Sequence, residues 1–451
     1  MLAARLARRF GAWPARGLFA LLVCAGALLA GSAPARSQVA VLQQQLFERT
    51  LREPLNHELT FEYARVATAN GDFEAAIGAL ERLLFYNPNL TRVKYELGTL
   101  YFRMGSFEMA KRYFSDALKD PNLNPVTRER IETYLPDAEK QLQASRFSGY
   151  FNTGLRYQSN ASFAPSSGAL LLGGQEFALQ PQVRRQSDWN WYGMLGLSHD
   201  YDLQNQRGDI LETRFVGYGT HQFRLNDLDV ALFDLSWGPR LALAPGVWPE
   251  ATIKPYVVGG KAWVGGTSYL STFGAGAALS LPVNSHWTLG PNFEWRRANI
   301  DTLTLLTGFN SGDWYAGGLS SNLKIYEWLK LESRGLYRRG TSEFVWNQFD
   351  QVAIEAALTV DFAPPFDWMS RNWSFIPFTK FIKTEFDAPN PFIDPNTVRH
   401  DRQWIVGAMF NAPIAKGFGL TATVQYDQVR SSIQNYTQDN FSVMGGPTIR
   451  W

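Results

Sequence analysis

The residues able to make or break bonds are sparse and scattered. The five histidines, His57, His199, His221, His286 and His400, include no ligand pair. Ser198 and His199 are adjacent, so in a strand they point to opposite faces and cannot act together as nucleophile and base. His221 can face lipid, with no partner evident in the sequence. No paired carboxylates, phosphate loop or metal-ligand spacing stands out, so no catalytic residue, metal or cofactor is expected. What remains is binding chemistry, in two sets. Arginines and aromatics recur at helical spacing as Phe61, Arg65, Arg92, Tyr95, Phe102 and Arg103. Charges of both signs recur on alternate positions further on, among them Arg156, Glu212, Arg214, Glu294, Arg296, Glu332, Arg334 and Glu355.

The elements that position them differ along the 451 residues. Arg5, Arg8, Arg9 and Arg16 precede and open an apolar run from Gly17 to Gly31, and Ser32-Ala33-Pro34-Ala35 offers small residues for cleavage. Residues 1–37 therefore read as a secretory signal peptide. The single cysteine, Cys24, lies within it, so no disulfide or thiol chemistry is expected after export. Aromatics make up 14% of the chain, with 15 Trp and 38 Gly, which fits strands whose outer face meets lipid and whose ends carry Trp and Tyr. The formal net charge of +2 gives no reason to expect nucleic acid as a partner.

Residues 38–146 are rich in Leu, Glu, Ala and Arg at helical spacing. Ala64, Gly71, Phe73 and Ala76 recur as Gly98, Gly105, Phe107 and Ala110, and Pro88 and Pro121 close the two units. The second unit adds Leu97-Gly98, Tyr101, Phe114 and Ala117. This pattern resembles the tetratricopeptide repeat, a helix-turn-helix of about 34 residues. Two repeats need flanking layers, and the segments from Leu42 to Leu51 and Asn124 to Leu142 are expected to supply them, with Pro136 bending or splitting the second. The repeat frame places Phe61, Arg65, Arg92, Tyr95, Phe102 and Arg103 on a concave face, a basic and aromatic groove for an extended peptide or acidic segment. Packing between helices accounts for Phe61 and Tyr95 equally well.

Residues 147–451 change to a period of two. Fourteen candidate strands begin near Gly149, Asp188, Leu211, Asp229, Lys254, Tyr269, Trp287, Trp314, Lys330, Gln351, Trp373, Arg402, Phe418 and Phe441. In one, Trp287, Leu289, Phe293 and Trp295 oppose Thr288, Asn292, Glu294 and Arg296. Connections after even strands are mostly short, as at Asn284-Ser285-His286, and those after odd strands are often long, as from Asp301 to Asp313. Asn226 to Asp229 and Ala244 to Thr252 break the rule. The expectation is a helical domain followed by a transmembrane β-barrel of about 14 antiparallel strands, with the short turns, the helical region and the C-terminus in the periplasm. A soluble all-β domain would show the same alternation with its apolar face inward. The last strand, with Gly446, Ile449 and Trp451, resembles the C-terminal targeting signal of bacterial outer-membrane barrels.

Repeats joined to such a barrel resemble the surface lipoprotein assembly modulators over nearly the whole exported chain. Gly154 to Asn160, followed by Ala164-Pro165, looks like that family's opening barrel motif, with Ser159 in place of its acidic residue. The resemblance implies delivery of a client lipoprotein or secreted protein across the outer membrane. The helical repeats would recruit it, with outer-membrane lipid and the barrel-assembly machinery as further partners. It implies no nucleotide and no catalytic residue. An exopolysaccharide export porin, also built of helical repeats and a barrel, is the alternative. A barrel enzyme acting on lipids would need Ser and His at compatible heights on the outer wall. The mixed-sign charges fit either a ladder for a transported substrate or the packing of a narrow interior.

Overall fold

The computed structural model describes residues 33–451 apart from 54–55, 206, 245, 302–310 and 367–370. Residues 1–32 of the segment expected to direct export, Cys24 included, lie outside the described residues, as does most of the Asp301–Asp313 loop. The chain divides into two compact units, up to Gln143 and from Ala144 onward.

The first unit holds α1 (Ala33–Arg52), α2 (His57–Ala69), α3 (Phe73–Tyr86), α4 (Thr91–Arg103), α5 (Phe107–Leu118) and α6 (Pro125–Leu142). The hairpin α2–α3 recurs as α4–α5 after 34 residues, from His57 to Thr91 and from Phe73 to Phe107. Each hairpin turns on a glycine in the left-handed region, Gly71 (φ 82°) and Gly105 (φ 76°). Asn56 and Asp72 cap α2 and α3 by accepting from Leu59 N and Ala75 N. Leu80, Leu83, Val93 and Leu97 form one buried cluster, to which α1 adds Leu46; Phe114 and Ile131 centre a second. Gly98 lets α4 and α5 close, because a Cβ there would stand 2.5 Å from the Phe114 ring. Tyr101 and Tyr113 stack at 5.6 Å and both donate to Glu81. Burial first, then that carboxylate, pushes the Tyr113 hydroxyl up to about 12. Helix α6 runs unbroken through Pro136, so the expected split does not occur; Ile131 and Ala138, on either side of it, are both buried.

The second unit comprises β1 (Ser145–Gln158), β2 (Ala169–Leu172), β3 (Gln175–Ala178), β4 (Asp188–Asp202), β5 (Ile210–Gln222), β6 (Val230–Ala244), β7 (Trp248–Val264) and β8 (Thr267–Asn284). It continues with β9 (Trp287–Ile300), β10 (Gly312–Tyr326), β11 (Leu329–Gly340), β12 (Phe349–Phe362), β13 (Trp373–Pro389), β14 (Val398–Ala415), β15 (Phe418–Ser431) and β16 (Gln438–Arg450). β2 and β3 pair only with each other; the other fourteen form one closed antiparallel barrel. The irregular turn expected from Ala244 to Thr252 is mostly strand, since β7 already starts at Trp248. The exceptions to loop parity lie elsewhere. Gly265-Gly266, both at positive φ, make a two-residue turn on the long-loop side, and 363–372 is long on the short-turn side.

The two faces of the wall separate by chemistry. Phe151, Leu155, Trp191, Phe293, Trp404 and Val443 are among many large apolar side chains left exposed on one face. The other face is concave, because Arg296 on β9 reaches Asp234 on β6 past two intervening strands. A closed wall with apolar side chains outside and charges inside is a bilayer-spanning barrel, not a soluble one with a dry core.

Closure depends on the last residues. β16 pairs with β1 from Tyr150↔Arg450 to Gln158↔Ser442, and Gly149 and Trp451 exchange two backbone hydrogen bonds of 3.1 Å. Ile449 faces outward beside Phe151. Gly446 sits where the strands crowd: a Cβ there would lie 2.0 Å from the Thr153 carbonyl oxygen. Gly446→Val is therefore expected to open the seam and leave no heat-resistant compact form in semi-native electrophoresis. A wild-type mobility shift in that variant would contradict this reading of the closure.

Candidate functional site

The helical unit contains a groove of about 680 Å³ lined by α2 and α4 and by Arg49 of α1. It brings together Phe61, Arg65, Arg92 and Arg103. The Arg92 guanidinium lies over the Phe61 ring at 4.1 Å and reaches Glu58 at 3.3 Å. Arg103 lies over Phe73 at 4.9 Å. Stacking on a ring holds a guanidinium flat while leaving edge N–H groups for an anion. Tyr95 and Phe102 do not line the groove. They occupy the neighbouring flank of α4, Tyr95 against Phe114 at 6.4 Å and Phe102 edge-on to Phe107 and Tyr134 at 5.4 Å. Packing between helices explains them.

The expectation of a basic groove also needs correction. Glu58, Glu62 and Glu96 line it as well, so four arginines face three glutamates. The sequence signal for these carboxylates was present: Glu58, Glu62 and Arg65 share one face of α2, and Arg92, Glu96, Thr99 and Arg103 share one face of α4. Burial pushes the Glu96 carboxyl above the usual glutamate range, against the opposing pull of Arg92 and Arg130.

In the barrel, Glu294 and Arg296 belong to a brace that spans strands. Arg296 pairs with both Asp234 and Glu294, and Tyr256 donates to Glu294 at 2.9 Å. The intervening strands carry glycine beneath it; a Cβ at Gly276 would lie 2.6 Å from the Tyr256 ring. Arg334 and Arg338 stand close enough to interact with the brace, and Arg338 lies over Trp314 at 5.6 Å. Nearer the short turns, Glu212 takes Lys254, Arg214 at 3.0 Å and Arg240 at 3.7 Å, and Arg214 also reaches Asp200 at 2.6 Å. Glu355 pairs with Lys380 at 2.7 Å. Arg156 meets Tyr218, with its Nε buried and unbonded. Glu332 shares the inward parity of Arg334 on β11. Asp234, which the alternation also puts on the inner face, and Lys254, Tyr256 and Lys380, which only the strand register reveals, complete these clusters.

The opening motif also has a structural basis. Asn160, fully buried, donates to the Ala164 carbonyl at 3.0 Å and accepts from Ala164 N, so the Asn and the Ala-Pro form one clamp. The loop beyond it hydrogen-bonds to neighbouring loops, through Leu171 with Asn435 and Gly173 N with the Phe392 carbonyl. His221 does have a partner, Asp229 at 2.7 Å. His199 stacks on Phe147 at 4.3 Å. Among the described residues no cluster of His, Cys, Asp or Glu could hold a metal.

No protein-family profile and no curated protein sequence matches the chain. Among solved structures it is similar to an anion-selective porin from Comamonas acidovorans, with 9% identity, 68% of this chain and 99% of that one covered, and a TM-score of 0.34. It is likewise similar to the outer-membrane channel DcaP of Acinetobacter baumannii (8%; 68% and 97% covered; TM-score 0.37). A third is a bacterial polysaccharide outer membrane secretin (8%; 67% and 98% covered; TM-score 0.32). Likenesses this remote assign no activity to the chain.

Two predictions follow from the geometry. Arg296→Met leaves Asp234 and Glu294 without the cation they share and is expected to destabilise the barrel by about 3 kcal/mol, with Arg296→Met/Asp234→Asn recovering most of the loss. Heat-modified electrophoretic mobility checks both; equal losses in the single and double variants would contradict the brace. For Glu96 the folded pKa lies above the unfolded one. Its contribution to stability is thus full below the unfolded value and is lost as pH rises through the folded value. Glu96→Gln should therefore melt higher than wild type at pH 7 but not at pH 4, followed by helical circular dichroism of the full chain. An identical difference at both pH values would contradict it.

Proposed function

We propose that the protein is an outer-membrane conduit that helps deliver client proteins, lipoproteins above all, to the cell surface. The single observation that carries this reading is the groove. Phe61-backed Arg92 and Phe73-backed Arg103 present guanidinium edges along a trough of about 680 Å³, on the same polypeptide as a membrane-spanning barrel. The alternating charges suit a client with acidic and basic residues in register, since complementary charge sets register and partner choice more than raw affinity. The helical hairpins follow a tetratricopeptide-like spacing, and such stacks take extended peptides on their concave side. Both barrel termini lie at the short-turn end of the wall, the end that faces the periplasm in outer-membrane barrels, and this supports a periplasmic helical unit. The closing strand, with Gly446, Ile449 and Trp451, serves as the segment read by the barrel-assembly machinery. No bond is made or broken, so the driving force comes from client folding outside or from that machinery.

Deletion of the gene tests the reading, with surface accessibility of each lipoprotein to protease as the measurement. Loss of exposure for at least one lipoprotein is expected; unchanged exposure of all of them with loss of a secreted polysaccharide overturns it. Arg92→Glu/Arg103→Glu is expected to lower client capture about tenfold or more while the barrel keeps its heat-resistant mobility. Wild-type capture by that variant removes the groove from the mechanism.

A further inference from the structure

We propose that the outer wall carries a binding site for the phosphate of a lipid headgroup, built from Lys383, Arg402 and Arg430. These residues lie on three consecutive strands in direct register, Lys383↔Arg402 across β13–β14 and Arg402↔Arg430 across β14–β15. All three share the outward parity of Trp404 and Tyr426. Side chains directly opposed on neighbouring strands have Cβ atoms about 5 Å apart, and like charges so placed repel. Lys383 meets Glu385 at 2.7 Å. Arg402 and Arg430 are exposed, and no salt bridge or hydrogen bond to either is found among the described residues.

Elsewhere on the long-loop rim, outward cations are neutralised by the protein itself. Arg339 holds Asp350 at 3.4 Å and Asp387 at 2.5 Å, Arg297 holds Asp313 at 3.3 Å, and Lys261 holds Asp301 at 3.5 Å. Arg402 and Arg430 therefore break a local pattern, with Lys383 beside them held by Glu385, and an anion from outside the chain completes the cluster.

Depth identifies the anion. One step along each strand toward the middle of the wall, Phe381 and Trp404 lie in register with ring centroids 4.6 Å apart. Trp at the wall surface marks the boundary between acyl chains and headgroups. Two residues further along a strand is about 7 Å higher, at the level of headgroup phosphates. Arginine forks there match phosphate oxygens. The occupant is thus a lipid of the leaflet at the long-loop rim whose phosphate headgroup carries a net negative charge, with no cation of its own to offset it, held with its chains along Trp404, Val406 and Val424. This inference rests on the membrane-spanning wall and not on the client reading, so either can fail alone.

The test is native mass spectrometry of the full chain in non-ionic detergent, titrated with phosphatidylglycerol, a diphosphorylated glucosamine-based glycolipid, phosphatidylcholine or inorganic phosphate. Retention of the two anionic lipids is expected. Lys383→Gln/Arg402→Gln/Arg430→Gln should weaken it at least tenfold, with heat-resistant mobility intact, and Arg402→Lys/Arg430→Lys should keep most of it. Inorganic phosphate should compete only at millimolar concentration. Equal binding by the triple glutamine variant, equal binding of phosphatidylcholine, or saturation by inorganic phosphate alone at micromolar concentration overturns the lipid site.

Discussion

A bilayer supplies no water to backbone amides, so every N–H and C=O of the wall must find its partner within the chain. That constraint is met along thirteen sequential strand pairings and one long-range seam. The seam joins β1 to β16 across almost the whole barrel sequence, and the last residue, Trp451, exchanges backbone hydrogen bonds with Gly149. Gly154 and Gly446 let the two backbones crowd where a side chain would collide with a carbonyl. Without this closure, the first and last strands would present unpaired edges to lipid.

Closure also decides where the charges go. Once the wall curves, alternate residues converge, and side chains from strands that never pair can meet on the concave side. Arg296 reaching Asp234 past β7 and β8 is the clearest case. Small residues on the intervening strands leave room for it, and Tyr256 fills the space over Gly276. Such braces hold the lumen side of the wall in one arrangement. The helical unit uses a related device at lower cost in desolvation: exposed guanidinium groups are fixed on aromatic rings and keep edge donors available.

Much of this was legible beforehand. Strict alternation in segments such as Trp287 to Arg296 gave both the strands and their outward faces. The recurrence of Gly71 as Gly105 and Phe73 as Phe107 located the helical hairpins. Errors arose where local signals competed with tertiary packing. The stretch from Ala244 to Thr252 read as a long connection, yet β7 begins at Trp248. Pro136 read as a break, yet α6 continues. Tyr95 and Phe102 shared the spacing of the groove arginines but belonged to the flank that packs on Phe114 and Tyr134. Glu58, Glu62 and Glu96 lay at the same helical spacing as the arginines and passed unread. The brace was out of reach, since its partners are separated by 62 residues and only register brings them together.

The account stands on the apolar side of the fourteen strands facing outward, and the tryptophans there allow a direct test. Trp189, Trp191, Trp237 and Trp404 are exposed on the outer wall. The purified chain should be reconstituted in bilayers whose acyl chains carry bromine, a contact quencher of indole fluorescence. Quenching of most of the tryptophan emission, and its weakening when Trp191 and Trp404 are replaced by phenylalanine, is the predicted result. Emission unchanged by bromine, from a protein that stays in solution without detergent, would contradict the account.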